Sequence, residues 1–390
     1  VLDSKPFAAE AAPTGTPAVD IVENGLKQVD VIVVGAGQAG CAAAYDLASA
    51  GLSVLMLDRH ATTGHKPCAG GVTEKARRLY RFPLDSVVRE TVSQMQMSLY
   101  QKLETPFTAE TPFCLMTHRP ELDQLCRDQA QQAGASLTIV RDISGFQSHT
   151  DGIVLTVDGE RLAARYLIGA DGAHSAVRRL AFGGGARHGA MAIEGLLSRE
   201  HCNRYPQTTF DFGVVRGGYG WLFPKGDHVN VGLYVRTQSG GKVDRHALAD
   251  YARARLGSDA LTHVQGFPLG TWGHQQRLAA GRVLLVGDAA GFTEPLLGEG
   301  IYGAVLSGQR AAAAILADQH VAATYVADMD RWRSELRRVH PIAAIFYSTL
   351  PLSFGVLKHG VRRPLMKGYA NGLTLVQSKR LFFGARFGQA

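Results

Sequence analysis

Hydrophobic positions along this chain follow two periods, and the switches between them divide it. Val31–Val34 is a short β-branched run ending in glycine, which predicts a strand buried on both faces. The Ala-rich stretch Cys41–Ala50 predicts a helix, and Ser53–Leu57 a second strand. Similar alternation continues with a basic helix over Thr73–Arg81, a strand over Phe113–Met116 and a helix over Arg119–Ala133, its apolar positions Leu122, Leu125, Cys126 and Ala130 at helical spacing. Leu137–Val140 reads as a strand, and a hairpin about Thr150-Asp151-Gly152 leads into Ile153–Val157. Tyr166–Ala170 is an apolar strand running into Asp171-Gly172, where Asp171 would cap the next helix.

A different pattern is inserted. Val92–Gln101 alternates, with Met95, Met97 and Leu99 on one face. Ala190–Leu197, Thr208–Phe212, Tyr219–Phe223 and Val229–Val235 follow one another as strands with no helix between, and Lys225-Gly226-Asp227 turns the last pair. That departure from strand–helix alternation predicts an antiparallel second domain, with Asp244–Leu256 as a helix on its edge. Arg282–Val286 then returns to a buried strand, and Ile301–Ala317 is a long helix of small residues. The expected domains are therefore discontinuous: 29–91 with 110–185 and 276–320 for a nucleotide-binding unit, and 92–109 with 186–275 for the insert. Residues 321–390 form a helical, basic C-terminal region, and 1–28 a flexible lead-in with neither the charge pattern nor the apolar length of a signal peptide.

The first strand–helix–strand unit carries chemistry. Gly35, Gly37 and Gly40 have the G-x-G-x-x-G spacing, and Asp58 lies 18 residues after Gly40. Gly35 suits the tight turn, Gly37 the close approach of a pyrophosphate, and Gly40 close helix–strand packing. The helix N-terminus offers free N–H groups to phosphate, and Asp58 suits ribose hydroxyls. An acid there disfavours a 2′-phosphate, so FAD or NAD is expected before NADP.

Composition narrows the class. The 390 residues, 46% of them hydrophobic, suit a large core and two or three domains. Five cysteines with no C-x-x-C pair fit reduced thiols in a cytoplasmic setting and no zinc site. From Arg331 onward there are eleven Lys and Arg against one acid, Glu335, although the whole chain is only +7. No nucleic-acid motif accompanies this basic end, so a peripheral contact with a membrane surface is the favoured partner, beside a plain solvated face. Pro341–Leu357 lacks charge and is expected to be interrupted at Pro351, which reads as an interfacial hairpin or a cap over an apolar pocket rather than a span.

Together these motifs resemble the geranylgeranyl reductase family, within the flavoproteins similar to para-hydroxybenzoate hydroxylase. Gly35-x-Gly37-x-x-Gly40 with Asp58, Asp171-Gly172 and Gly287-Asp288 match that group's three FAD motifs. Lys66-Pro67-Cys68-Ala69-Gly70-Gly71 resembles the reductases' P-C-G-G-G loop, with Ala69 in place of a glycine. Tyr219-Gly220-Trp221-Leu222-Phe223-Pro224 resembles their Y-x-W-x-F-P substrate motif. The resemblance implies an α/β fold: a Rossmann-like FAD-binding domain, an inserted antiparallel β-sheet substrate domain and a C-terminal helical region.

It also implies FAD, bound through Gly35, Gly37, Gly40, Asp58, Arg59, Cys68, Ala69, Gly70, Arg119, Asp171, Gly287, Asp288, Gly298, Gly300 and Ile301. Asp288 is expected at the ribityl chain. Tyr219, Trp221, Phe223 and Pro224 would line a polyprenyl site, with Cys68, Tyr219 and Trp221 as catalytic candidates and the proton donor open between Cys68, Tyr219 and water. The implied reaction is hydrogenation of isolated C=C bonds by hydride from reduced flavin; a monooxygenase or halogenase on the same fold is the alternative. No second dinucleotide fingerprint is present, so the electron donor, NADPH or a reduced redox protein, would visit transiently. In the local sequence Cys68 sits among His60, His65 and Lys66, cations that would favour its thiolate if close; position alone favours a buried, inert thiol, and it is the resemblance that makes Cys68 a site residue.

Overall fold

The computed structural model describes residues 20–22, 26–64, 66, 68–184 and 189–384. A nine-stranded sheet forms its base, ordered Ile143–Ser148, Ile153–Val157, Glu160–Gly169, Leu26–Val34, Val54–Asp58, Ser136–Ile139. The last four are mutually parallel, and Val283–Leu285 also pairs in parallel with Glu160–Gly169. Val31, Ile32, Val33 and Leu167, Ile168 are almost fully buried, as an apolar run covered on both faces requires. The Gln38–Ser49 and Ile301–Ala317 helices pack closely over this sheet; Gly308 approaches the Ala39 carbonyl so closely that a Cβ would lie 2.2 Å from it.

Register places the chemistry. Val34 is paired with Leu57 and with Gly169, and Gly169 with Leu285. The turns that follow these strands, at Gly35, Asp58, Asp171 and Gly287, therefore open at one carboxyl edge, where ligands of open parallel sheets sit.

A seven-stranded sheet faces that edge, ordered Thr262–Leu269, Ala190–Ser198, His228–Arg236, Gly218–Pro224, Thr209–Phe212, Gln94–Leu99, Thr105–Thr108. It is antiparallel apart from one parallel pair, Thr209–Phe212 with Gln94–Leu99. A small third sheet, Gly71–Thr73, Cys114–Thr117 and Val88–Val92, bridges the two.

Several expectations need correction. The helix expected over Thr73–Arg81 is a single turn, Glu74–Arg77, because Gly71–Thr73 pairs with Cys114–Met116 instead. The strand expected over Val92–Gln101 divides at Ser93: Val88–Val92 serves the small sheet and Gln94–Leu99 the large one. Within the expected lead-in, Asp20–Val22 pairs antiparallel with Leu26–Gln28; residues 1–19 and 23–25 lie outside the described residues. The Val321–Ser348 helix runs through Pro341 and breaks at Thr349, not at Pro351. Pro351 occupies the first turn of the following helix, where its missing N–H leaves no intrahelical bond unmade.

Candidate functional site

One continuous cavity of about 510 Å³ lies between the parallel edge and the seven-stranded sheet. All the site residues expected from sequence line it except Gly40 and Pro224, which sit behind its wall. Its two ends differ in character.

The polar end is built from the turns of the parallel sheet. Gly35 has φ +100°, and a Cβ there would lie 2.4 Å from the Ala170 carbonyl, so only glycine fits. Gly40 is pressed against Gly35, where a Cβ would meet its carbonyl at 1.9 Å. Gly37 is the reverse case: a Cβ there would find nothing within 4 Å, because it faces the cavity. Asp58 accepts from the Ala36 N–H at 2.7 Å and the His60 N–H at 2.9 Å, and it pairs with the buried Arg127 at 3.1 Å. Arg127 in turn donates to the Ala36 and His60 carbonyls, so it fixes the acid against the glycine turn. Arg59 is exposed at the rim.

Asp171 does cap the following helix, accepting from the Ala176 and Val177 N–H groups through Oδ2; its buried Oδ1 has no protein partner. Asp288 is ion-paired with Lys66 and accepts the Thr293 hydroxyl at 2.5 Å. Burial, the largest influence, opposes its ionisation, but Lys66, the Thr293 hydroxyl and Arg119 together outweigh it and hold the carboxyl below its ordinary range.

The cysteine loop is tied peptide by peptide. Cys68 N–H donates to Glu194 Oε1 at 2.9 Å, the Ala69 carbonyl accepts from Lys225 Nζ at 2.7 Å, and the Gly70 carbonyl accepts from the Thr117 N–H and hydroxyl. Gly70, with φ +68°, is the residue whose conformation needs glycine; Ala69 is not in the left-handed region, so alanine is accommodated there. His65 and Pro67 lie outside the described residues. The cation facing Cys68 is not a sequence neighbour. Lys66 turns to Asp288, and Arg119, paired with Asp123 at 2.9 Å, stands beside the thiol instead.

The other end is aromatic. Tyr219, Trp221 and Phe223 share one face of their strand with Tyr234 opposite, and all four are nearly buried. Trp221 Nε1 donates to Asn230 Oδ1 at 2.7 Å, and Gly232 leaves room for its ring, since a Cβ there would lie 2.0 Å from it. The 295–300 loop before the Ile301–Ala317 helix is pinned by three tyrosines: Tyr234 to the Pro295 carbonyl, Tyr347 to Leu296 and Tyr219 to Leu297. Tyr219 therefore gives its proton to a backbone carbonyl, and burial pushes its phenol well above the ordinary range. Tyr347, Leu350, Phe354 and Met366 from the C-terminal region pack behind this end, and Tyr369 lines it.

Sequence reasoning missed Arg127, Glu194 and Asn230, and read Lys225 only as a turn residue. Glu194 had a signal: it is the one charged residue in an otherwise apolar strand, Ala190–Leu197. The geometry fits a dinucleotide flavin. The open cradle at Gly37 and the unpartnered Asp171 Oδ1 lie along the polar end, and the same cavity continues to the apolar aromatic wall.

Comparison with known proteins agrees. The model for the FAD binding domain matches residues 28–206. An uncharacterized Methanosarcina barkeri protein, Mbar_A1602, is 31% identical over 362 residues, covering 90% of this chain and 93% of its own. Digeranylgeranylglycerophospholipid reductase 1 of Methanothermobacter thermautotrophicus is 30% identical over 323 residues, 74% of this chain and 78% of its own. The chain spans only 65–66% of the chloroplastic geranylgeranyl diphosphate reductases of tobacco, Arabidopsis and rice. The crystal structure of a geranylgeranyl bacteriochlorophyll reductase-like protein from Thermoplasma acidophilum superposes with a TM-score of 0.73 at 20% identity, covering 93% of this chain and 96% of its own.

Proposed function

We propose that this chain, which belongs to the geranylgeranyl reductase family, is an FAD-dependent reductase that hydrogenates isolated C=C bonds of a polyprenyl chain. The observation that carries this reading is the two-ended cavity. A dinucleotide cradle opens, past Cys68, onto the buried aromatic face of Tyr219, Trp221 and Phe223, with Glu194 and the Lys75-paired Glu299 also in the lining.

FAD would be held by the Gly35–Gly40 turn, Asp58, Asp171 and the 287–301 segment, and when reduced it supplies hydride. The chain's own residues do the rest. Tyr219, Trp221 and Phe223 exclude water and orient an apolar substrate that has no carbonyl to polarise it. The 299–301 backbone, at the start of a 17-residue helix, presents N–H groups to negative charge. The electron donor is NADPH or a reduced redox protein. To test this, the reduced enzyme is mixed under argon with geranylgeranyl diphosphate. Flavin absorbance should recover in step with added substrate, whereas recovery only on admitting oxygen would favour the monooxygenase or halogenase alternative.

The C-terminal region suits a lipid source for that substrate. Ile342, Ile345, Leu352 and Val356 are 44–71% exposed on two helices bent by 114°, and the inner faces of the same helices pack behind the aromatic chamber. Lys358, Arg362, Arg363 and Lys367 follow with no acid among them. Among the described residues no single helix is long and apolar enough to cross a membrane. We infer a peripheral contact that lets the chain enter from the membrane surface. Leu352→Asp with Ile345→Asp should weaken sedimentation with anionic vesicles by about tenfold or more, given roughly 1.5–3 kcal/mol for each buried aliphatic group. Unchanged vesicle binding would remove this surface from the account.

A further inference from the structure

The reaction just proposed needs a proton at one alkene carbon as well as hydride at the other, and neither FAD nor the aromatic wall provides it. Of the acids lining the cavity, most are committed to cations. Asp58 is paired with Arg127, Asp123 with Arg119, Asp288 with Lys66 and Glu299 with Lys75. Asp171 has no such cation, but two helix N–H groups hold its other oxygen, and it lies against the glycine turn at the polar end. Glu194 is the remaining case. It is 6% exposed, lines the cavity between Cys68 and the aromatic strand, and no salt bridge reaches it. Its Oε1 accepts the Cys68 N–H, while its Oε2 is buried and has no partner in the protein.

We propose that Glu194, protonated on Oε2, is the catalytic acid of the alkene reduction. The inference rests on the reductase reading above. With FAD bound and reduced, it would supply the hydride for one C–H bond as the π bond breaks. The Glu194 O–H bond breaks to form the other, so the alkene gains one hydride and one proton, and the flavin is oxidised by two electrons. The resulting carboxylate regains its proton from water once the product leaves.

The surroundings suit this role. An unpartnered buried carboxylate would be costly, and a buried carboxylic acid far less so. Burial raises the Glu194 carboxyl above its ordinary range, offset in part by the Cys68 N–H, by the nearby Asn230 amide and by the positive charges of Arg119 and Lys225. Those groups, with the Cys68 thiol, are the titratable and charged ones facing it. Lys225 is itself brought down to about 8 by burial, so the positive charge beside Glu194 is a weak one above that pH. The competing donors are less suited. The Tyr219 proton is given to the Leu297 carbonyl, and the Cys68 thiol is turned to the Arg119 guanidinium.

Glu194→Gln preserves size and keeps a carbonyl to accept the Cys68 N–H. In this variant FAD content and melting temperature should stay near wild type, and KM for geranylgeranyl diphosphate should hold, while kcat falls by about 10²–10⁴-fold. Wild-type kcat should fall as pH rises through the Glu194 titration, and that limb should vanish in the variant. An independent readout uses no substrate. Infrared difference spectra of the FAD-free protein across pH should show, beside the band of the buried Glu294 carboxyl, which burial raises to about 7, a second protonated-carboxyl C=O band at neutral pH that is missing from Glu194→Gln. A variant that turns over at the wild-type rate, or a second band that persists in it, would overturn the assignment. If the wild type itself reduces no prenyl substrate, the functional reading fails, and the second infrared band decides the protonation of Glu194 by itself.

Discussion

Replacing Gly37 by valine is expected to strip FAD from the protein while leaving it folded. The reason is the asymmetry between two glycines two residues apart. At Gly35 a Cβ would strike the Ala170 carbonyl at 2.4 Å with φ +100°, so a side chain there strains the fold itself, by roughly 1–3 kcal/mol from the backbone alone. At Gly37 a Cβ meets no protein atom within 4 Å, and φ is not in the left-handed region. Its side chain would project into the cradle reserved for the pyrophosphate. Gly37→Val should therefore purify colourless, with FAD affinity reduced by about 100-fold or more, equivalent to roughly 3 kcal/mol. Its melting temperature should match that of wild-type apoprotein. Gly35→Val should instead melt lower or fail to accumulate. A yellow Gly37→Val protein would contradict the placement of the cofactor.

The second large effect is expected at Trp221. Its ring lines the chamber, packs over Gly232 and is fixed by the bond to Asn230. Trp221→Ala opens the wall to water and removes the surface that orients an unactivated alkene. Prenyl reduction should fall by about 100-fold or more, since near-attack positioning is where this reaction gains most. The truncation also costs about 3–5 kcal/mol of stability, so the comparison belongs well below the melting transition. FAD should stay bound, because no atom of Trp221 is needed to build the glycine cradle. Wild-type reduction rates in this variant would mean that the aromatic strand is core and nothing more.

How much of this was legible in the sequence depends on how far apart the partners lie. The glycine turn, Asp58 and the Gly287-Asp288 turn are each defined within a few residues, and parallel register then brings them together. The aromatic strand was visible as a face, but periodicity cannot separate wall from core; Trp221 is in fact both. The surroundings of Cys68 were not legible, because neighbours in sequence need not be neighbours in space. Lys66 pairs with Asp288, 222 residues away, and the thiol faces Arg119 from another helix. Glu194 meets Cys68 across 126 residues, through pairing of two sheets that no local pattern specifies. The break at Thr349 was placed at Pro351 because proline was read as a stop, whereas in a first helical turn it is a start.

The central claim, that reduced flavin in this cavity hydrogenates a prenyl chain, is tested most directly by the mass of the product. The purified protein is reduced with dithionite under argon and incubated with geranylgeranyl diphosphate, and the lipid is analysed by mass spectrometry. The account predicts products heavier by about two mass units for each double bond reduced, formed only when the flavin is present and reduced. Substrate of unchanged mass beside fully reduced flavin, for this and for glycerophospholipid-linked geranylgeranyl chains alike, would contradict it.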